Sequence, residues 1–170
     1  MSKPKQDEYN SFFHGYICLV LGESFDEIKN KYNDKICNYW DIVPNEKWSY
    51  SYAPKKWSLK QVFQHIIDTE RILAYRALCI TRGETQDLIE FDQDQYANLG
   101  NAIERNINDM IIEWKLLRNC NNIMFKSFTK YDLNKSGNVG SKKLSVKAIM
   151  YILFGHALHH INIVNNRYLS

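Results

Sequence analysis

The sequence predicts an all-α fold, a four-helix bundle in a single domain, and three observations carry that prediction. Apolar residues recur at the helical period in four long segments, two of those segments open on capping boxes, and no stretch alternates polar and apolar residues convincingly over strand length. A chain of 170 residues can bury one sizeable core unaided, so residues 1–170 are taken as one domain. Its core helices are expected at roughly 24–43, 58–82, 103–128 and 145–167.

The first helix begins at Ser24, with Glu27 three residues on, and continues through Phe25, Ile28, Tyr32, Ile36, Tyr39 and Val43 to Pro44 just past its end. Ser58 and Gln61 form the second box, and Val62, Ile66, Leu73 and Ala77 share a face of the helix that runs to Gly83. The third has no clean cap; it spans Ile103 to Phe128 and repeats Ile107, Met110, Trp114, Leu117 and Met124. The fourth starts at Ser145, after the turn-like "KSGNVGSKK", with Val146, Ile149, Leu153, His156, His160 and Val164 in its stripe. "WSYSYA" reads as an extended connection, and the long link from Gly83 to Asn101 as a functional loop, a lid or rim. Trp48, Tyr52 and Trp57 form an aromatic cluster best read as core or inter-subunit packing.

Composition narrows the partners. With 22 Lys+Arg against 19 Asp+Glu the net charge is +3, and no basic tract gathers, which argues against nucleic acid and against an anionic membrane surface. The run from Tyr16 to Leu21 is far too short to span a bilayer, and "MSKPKQDEYN" does not read as a cleavable signal. Cys18, Cys37, Cys79 and Cys120 form no CxxC pair and read as reduced core thiols of a cytoplasmic protein.

Three of five histidines fall within "FGHALHHINIVNNRY". His156 and His160 are i,i+4 and share a helical face, the spacing of two ligands on one metal ion. A lone histidine on an apolar face is usually structural, but two in register place several ring nitrogens where water is excluded, a cost that a cation offsets. His65, inside the second helix, is a better third ligand than His14, and three imidazoles with one open position make a catalytic rather than a closed site. His159, three residues after His156, is a rim acid or base or simply a surface imidazole. Asp68, three residues after His65, orients that ring, takes a proton from bound water, or is an ordinary solvated carboxylate. Ala157 follows His156, so the helix is not the HExxH of zinc proteases. Glu70, Arg71 and Arg76 read as a charged helix face, with Asp92 and Asp94 in the link beyond it.

"YAPKKWSLKQVFQHIIDTERILAYRAL" and "LSVKAIMYILFGHALHHINIVNNRYL", together with "RGETQDLIEFDQDQYAN" between them, resemble the DinB/YfiT-like family of metalloenzymes. The resemblance covers nearly the whole chain. It implies a four-helix bundle of up-down-down-up arrangement with its long loop between the second and third helices, commonly as a homodimer. It also implies a divalent metal held at the positions of His65, His156 and His160. The chain departs from the family pattern at Ala157, where glutamate is frequent.

The expected activity is that of a metal-dependent enzyme acting on a small molecule. A zinc, nickel, iron or manganese ion would activate either water, giving a hydrolase, or a low-molecular-weight thiol, giving an S-transferase. Arg71, Arg76 or Arg82 would hold the carboxylates of such a thiol. The alternative is a non-catalytic, stress-associated scaffold that the metal only stabilises.

Overall fold

In the computed structural model, which describes residues 2–170, the chain runs α1 (His14–Cys18), α2 (Phe25–Asn38), α3 (Leu59–Thr81), α4 (Gln93–Leu99), α5 (Ile107–Lys126), α6 (Lys130–Asn134), β1 (Ser136–Val139), β2 (Lys142–Ser145) and α7 (Val146–Arg167). α2, α3, α5 and α7 are the four long helices of the bundle, and α7 packs against α1, α2, α3 and α6. Every residue from Leu144 to Leu158 is buried, so this half of α7 has no polar face and takes the centre of the molecule. Even Lys147 is buried there, its Nζ held 2.9 Å from Glu8 of the N-terminal arm. No helix among the described residues is long and apolar enough to cross a membrane.

The helix starts follow their caps. Ser58 Oγ accepts from the Gln61 amide while Gln61 Oε1 accepts from the Ser58 amide, and Ser145 Oγ accepts from Ala148. Ser24 also caps α2, but Glu27 accepts from Glu23 instead of completing the reciprocal pair.

Several boundaries differ from expectation. α2 stops at Asn38 and the chain tightens into a 3-10 turn over Tyr39–Ile42, because Val43 precedes proline and is held extended at φ −72°, ψ 122°. α5 does have a cap: Asn106 accepts from Asn108 and Asp109, which leaves Ile103 in a separate 3-10 turn. The expectation of no strands fails at "SGNV" and "KKLS", which pair as an antiparallel hairpin around Gly140 and Ser141, both at positive φ (55° and 62°) as a two-residue type I′ turn requires. The link from Gly83 to Asn101 is not a plain loop either. It contains α4, capped by Asp92, and docks on the hairpin through Leu88 N–H to Asn138 O (2.9 Å) and Gly140 N–H to Leu88 O (3.1 Å).

Burial corrects two further readings, of the cysteines and of the charged face on α3, and agrees with a third, Trp48 as core. None of the four cysteines is a core thiol: Cys18 and Cys120 are exposed and Cys37 and Cys79 only partly covered, all free. Trp48 is core, close to Trp40 and Phe63, whose rings stack at 4.2 Å. Glu70 and Arg76 are not on a solvated face. Glu70 is buried with Arg118 of α5 at 3.0 Å and accepts from Asn121 at 2.9 Å, and the Arg118 guanidinium lies 4.3 Å from the Phe154 ring.

α1 crosses α7 at Gly155, where a Cβ would fall on the carbonyl oxygen of Tyr16. No flexible side chain stands there to yield, so the glycine sets how closely the two helices approach. Gly155→Ala is expected to cost about 1–3 kcal/mol, the usual penalty for overpacking, read as a lowered urea midpoint at unchanged slope. An unchanged midpoint would mean that α1 is not seated on α7.

Candidate metal centre and its cavity

His65 comes from the N-terminal third of α3, and His156 and His160 from successive turns of α7. α3 and α7 pack directly together, so the residue spacing along each helix becomes a three-dimensional cluster. His156 Nε2 lies 3.0 Å from His65 Nε2 and 3.1 Å from His160 Nε2, and all three nitrogens fall within 4.8 Å of one another. The structure brings together the three side chains that the sequence singles out, as a cluster that could hold a metal ion. His14, the other candidate, faces Tyr9 Oη (3.0 Å) and Cys18 Sγ (3.4 Å) on α1 instead.

The cluster is desolvated, and its electrostatics follow from that. Burial pulls the His65 pKa down to about 4, and burial followed by the neighbouring imidazoles pulls His156 and His160 well below the ordinary value. All three rings are therefore neutral at pH 7. A neutral imidazole carries one N–H, so three Nε2 atoms turned on one another cannot all be satisfied by hydrogen bonds: His156 can share a proton with one neighbour and then meets the other lone pair to lone pair. His160 Nδ1 is also buried without a partner. Three neutral nitrogen donors around one point fit a divalent ion of the zinc, nickel or iron kind, whose positive charge satisfies every lone pair at once.

Aromatic rings pack against the histidine rings. Trp57 lies 5.1 Å from His65, and Tyr16 of α1 stands edge-on to His156 at 5.4 Å and against His159 at 5.1 Å. His159 is half-buried beside the site, its pKa lowered by burial. Asp68 is not brought to the histidines. It accepts from Gln64 Nε2 at 2.8 Å, and Gln64 in turn accepts from Arg105, which pairs with Glu113; Arg71 also pairs with Glu113, at 2.6 Å. Burial raises the Asp68 pKa, but its hydrogen bond points it into this α3–α5 network and away from His65.

A cavity of about 490 Å³ opens from the cluster, floored by His65 and His156. Thr69, Leu73 and Arg76 continue its wall along α3, the docked link adds Glu90 and Phe91, and the hairpin adds Lys142 and Lys143. Sequence reasoning read Trp57 as core or inter-subunit packing and missed Tyr16, Thr69 and the hairpin lysines. Only Thr69 left a signal, being one turn on from His65; the others depend on tertiary contacts.

No curated protein matches the sequence. The fold matches YfiT from Bacillus subtilis, described as a probable metal-dependent hydrolase with an unusual four-helix bundle topology, at a TM-score of 0.71 and 13% identity over 82% of this chain and 85% of that one. It also matches YjoA, a DinB-like protein from Bacillus subtilis, at a TM-score of 0.56 and 12% identity over 92% and 88% of the two chains. Identities this low speak for shared architecture. The model of the DinB superfamily matches residues 34–164, a span that holds α3, α5, all three clustered histidines and most of α7, and the chain belongs to that superfamily.

Proposed function

We propose that the protein is a divalent-metal-dependent hydrolase of a small molecule. The observation that carries this reading is the convergence of three desolvated, neutral imidazoles, two of which, His65 and His156, line a cavity of about 490 Å³, within the size range of small-molecule sites. The description of YfiT as a probable metal-dependent hydrolase on the same fold supports it. His65, His156 and His160 would hold the ion, which would supply activation of water as a nucleophile near neutral pH.

The chain's own residues do the rest. Burial keeps the ligands deprotonated, so that binding an ion expels few protons from them at pH 7. Tyr16 and Trp57 hold the ring planes and keep water away from the flanks of the cluster. Ala157 offers no carboxylate, and Asp68 is held by Gln64, so the proton-transfer role falls to His159, the one further imidazole beside the cluster. In the thiol-dependent branch the same histidines would hold the ion, which would lower the pKa of a low-molecular-weight thiol and not of water.

One transition metal per chain is expected by elemental analysis of tag-free protein. His65→Ala and His160→Ala should each abolish stoichiometric binding while helical content stays largely intact; full occupancy in both variants would overturn the three-histidine site.

The pH dependence of the metal-free protein tests the desolvation directly. The unfolded chain takes up a proton on His65 near pH 6.5 and the fold only near about 4, so the unfolded state binds more protons between those values. Stability is therefore present above about 6.5 and is lost as the pH falls toward about 4. With chelator present, the urea midpoint should drop through this window. The slope should flatten when His65→Gln, His156→Gln and His160→Gln are combined, and an equally steep fall in that variant would place the titrating groups elsewhere.

Ester or amide turnover that needs the metal but no added thiol is the expected activity. Consumption of chlorodinitrobenzene only in the presence of a low-molecular-weight thiol would replace hydrolysis with S-transfer. A cobalt-substituted protein whose spectrum ignores both azide and thiols would leave the scaffold reading.

A further inference from the structure

The metal reading accounts for the floor of the cavity and leaves its walls unexplained. Arg76 is only 5% exposed and forms no ion pair among the described residues. Its Nη2 donates to the Ile89 carbonyl at 2.5 Å and its guanidinium lies 5.8 Å from the Phe91 ring, contacts that orient a cation without neutralising it. Glu90 lies near enough to favour that charge but pairs directly with Lys142, and a buried charge without an ion pair of its own is costly. Lys142 and Lys143 of β2 line the same space. Lys142 reaches Glu90 at 3.3 Å, whereas Lys143 pairs with nothing among the described residues. Three cations thus face one carboxylate around the cavity. Thr69 adds a hydroxyl, buried without a hydrogen-bond partner, between Arg76 and His65 on the same wall.

We propose that this cavity selects a small amphipathic carboxylate, whose anionic end lies within reach of Arg76 and Lys143 and whose reacting end lies over His65 and His156. The apolar body lies along Leu73 and the Phe12 and Phe91 rings, and Thr69 donates to a polar atom between the ends. Arg76 follows His65 by eleven residues, about 16 Å along the helix axis, so the carboxylate and the reacting group stand at opposite ends of the ligand and not on adjacent atoms. This inference rests on the reading of the histidine-floored cavity as the substrate site. The shared chemistry is a carboxylate on a small molecule, carried either by the substrate or by a low-molecular-weight thiol.

Titration calorimetry with 4-phenylbutyrate, its neutral amide and reduced glutathione tests the proposal. The measurements use metal-loaded protein and the chelated, metal-free His160→Ala protein, which excludes simple coordination of the carboxylate by the ion. A carboxylate should bind at least tenfold more tightly than the amide in both forms, and Arg76→Gln and Lys143→Gln should each shrink that preference. Because Arg76 is buried, the exposed Lys143 carries the comparison if the Arg76 variant fails to fold. Tighter binding of glutathione than of phenylbutyrate supports carboxylate selection and assigns it to a thiol; the reverse supports it and assigns it to the substrate. Equal affinity for acid and amide, no binding of any carboxylate, or a preference that disappears with the metal overturns it. A protein that binds no metal yet keeps the preference would sink the hydrolase reading alone.

Discussion

The fold depends on a helix that has no side to turn toward water. Since α7 is buried on every face from Val146 to Leu158, each neighbouring element has to cover part of its circumference. α2 and α3 are long enough to do so as bundle partners, and α1 and α6 cover what they leave. The same constraint makes the histidines unusual. A polar ring on an amphipathic helix can tip outward, but His156 has no outward direction, and its desolvation is a property of the helix's position.

Close cover at this point needs a backbone contact as well as side chains. At Gly155, immediately before His156, the missing Cβ lets the Tyr16 backbone rest on α7, and that approach puts the Tyr16 ring edge-on to His156. The cavity beside it is roofed from elsewhere. The link after α3 docks on the hairpin through Leu88, which brings Glu90 and Phe91 opposite Lys142 and Lys143. An insertion between bundle helices and a hairpin before the last one therefore together make the mouth of the site. Metal ligands on rigid helices with a ligand-facing rim on connecting segments is a common division of labour, because the rim can vary without disturbing the helices.

What the sequence made legible was what repeats at short range. The capping residues Ser58 and Ser145, the helical stripes and the i,i+4 histidines are local patterns, and each stands where the pattern puts it. The third member of the cluster was legible because His65 lies inside a capped helix, whereas His14 lies in a segment with no cap. The hairpin was hidden because its strands, "SGNV" and "KKLS", are four residues long and mostly polar, too short and too wet to alternate. Asn106 was hidden because Ile103 extended the apolar pattern past it. Asp68 was misplaced because spacing from His65 says nothing of Gln64 and Arg105, whose hydrogen bonds turn it toward α5. Charge was the least legible property, since nothing local distinguishes the buried Glu70 and Arg76 from the exposed Arg71 between them.

Glu70 shows why a charge belongs in that interior. An apolar interface between two helices tolerates rotation of either, because one aliphatic side chain substitutes for another at little cost. A buried carboxylate does not, since it must meet its partners or lie desolvated and alone. Glu70 meets Arg118 and Asn121, both on α5, and the remaining N–H groups of Arg118 lie buried without partners while its guanidinium faces the Phe154 ring of α7. Three helices are thereby fixed against one another at a single point. Glu70 follows His65 by five residues, about 140° around α3, so fastening one side of the helix to α5 turns the other toward α7 and the cavity. The orientation that presents His65 to His156 is the one that lets Glu70 reach Arg118, and the ion pair in the core and the histidine cluster are two consequences of one rotation of α3.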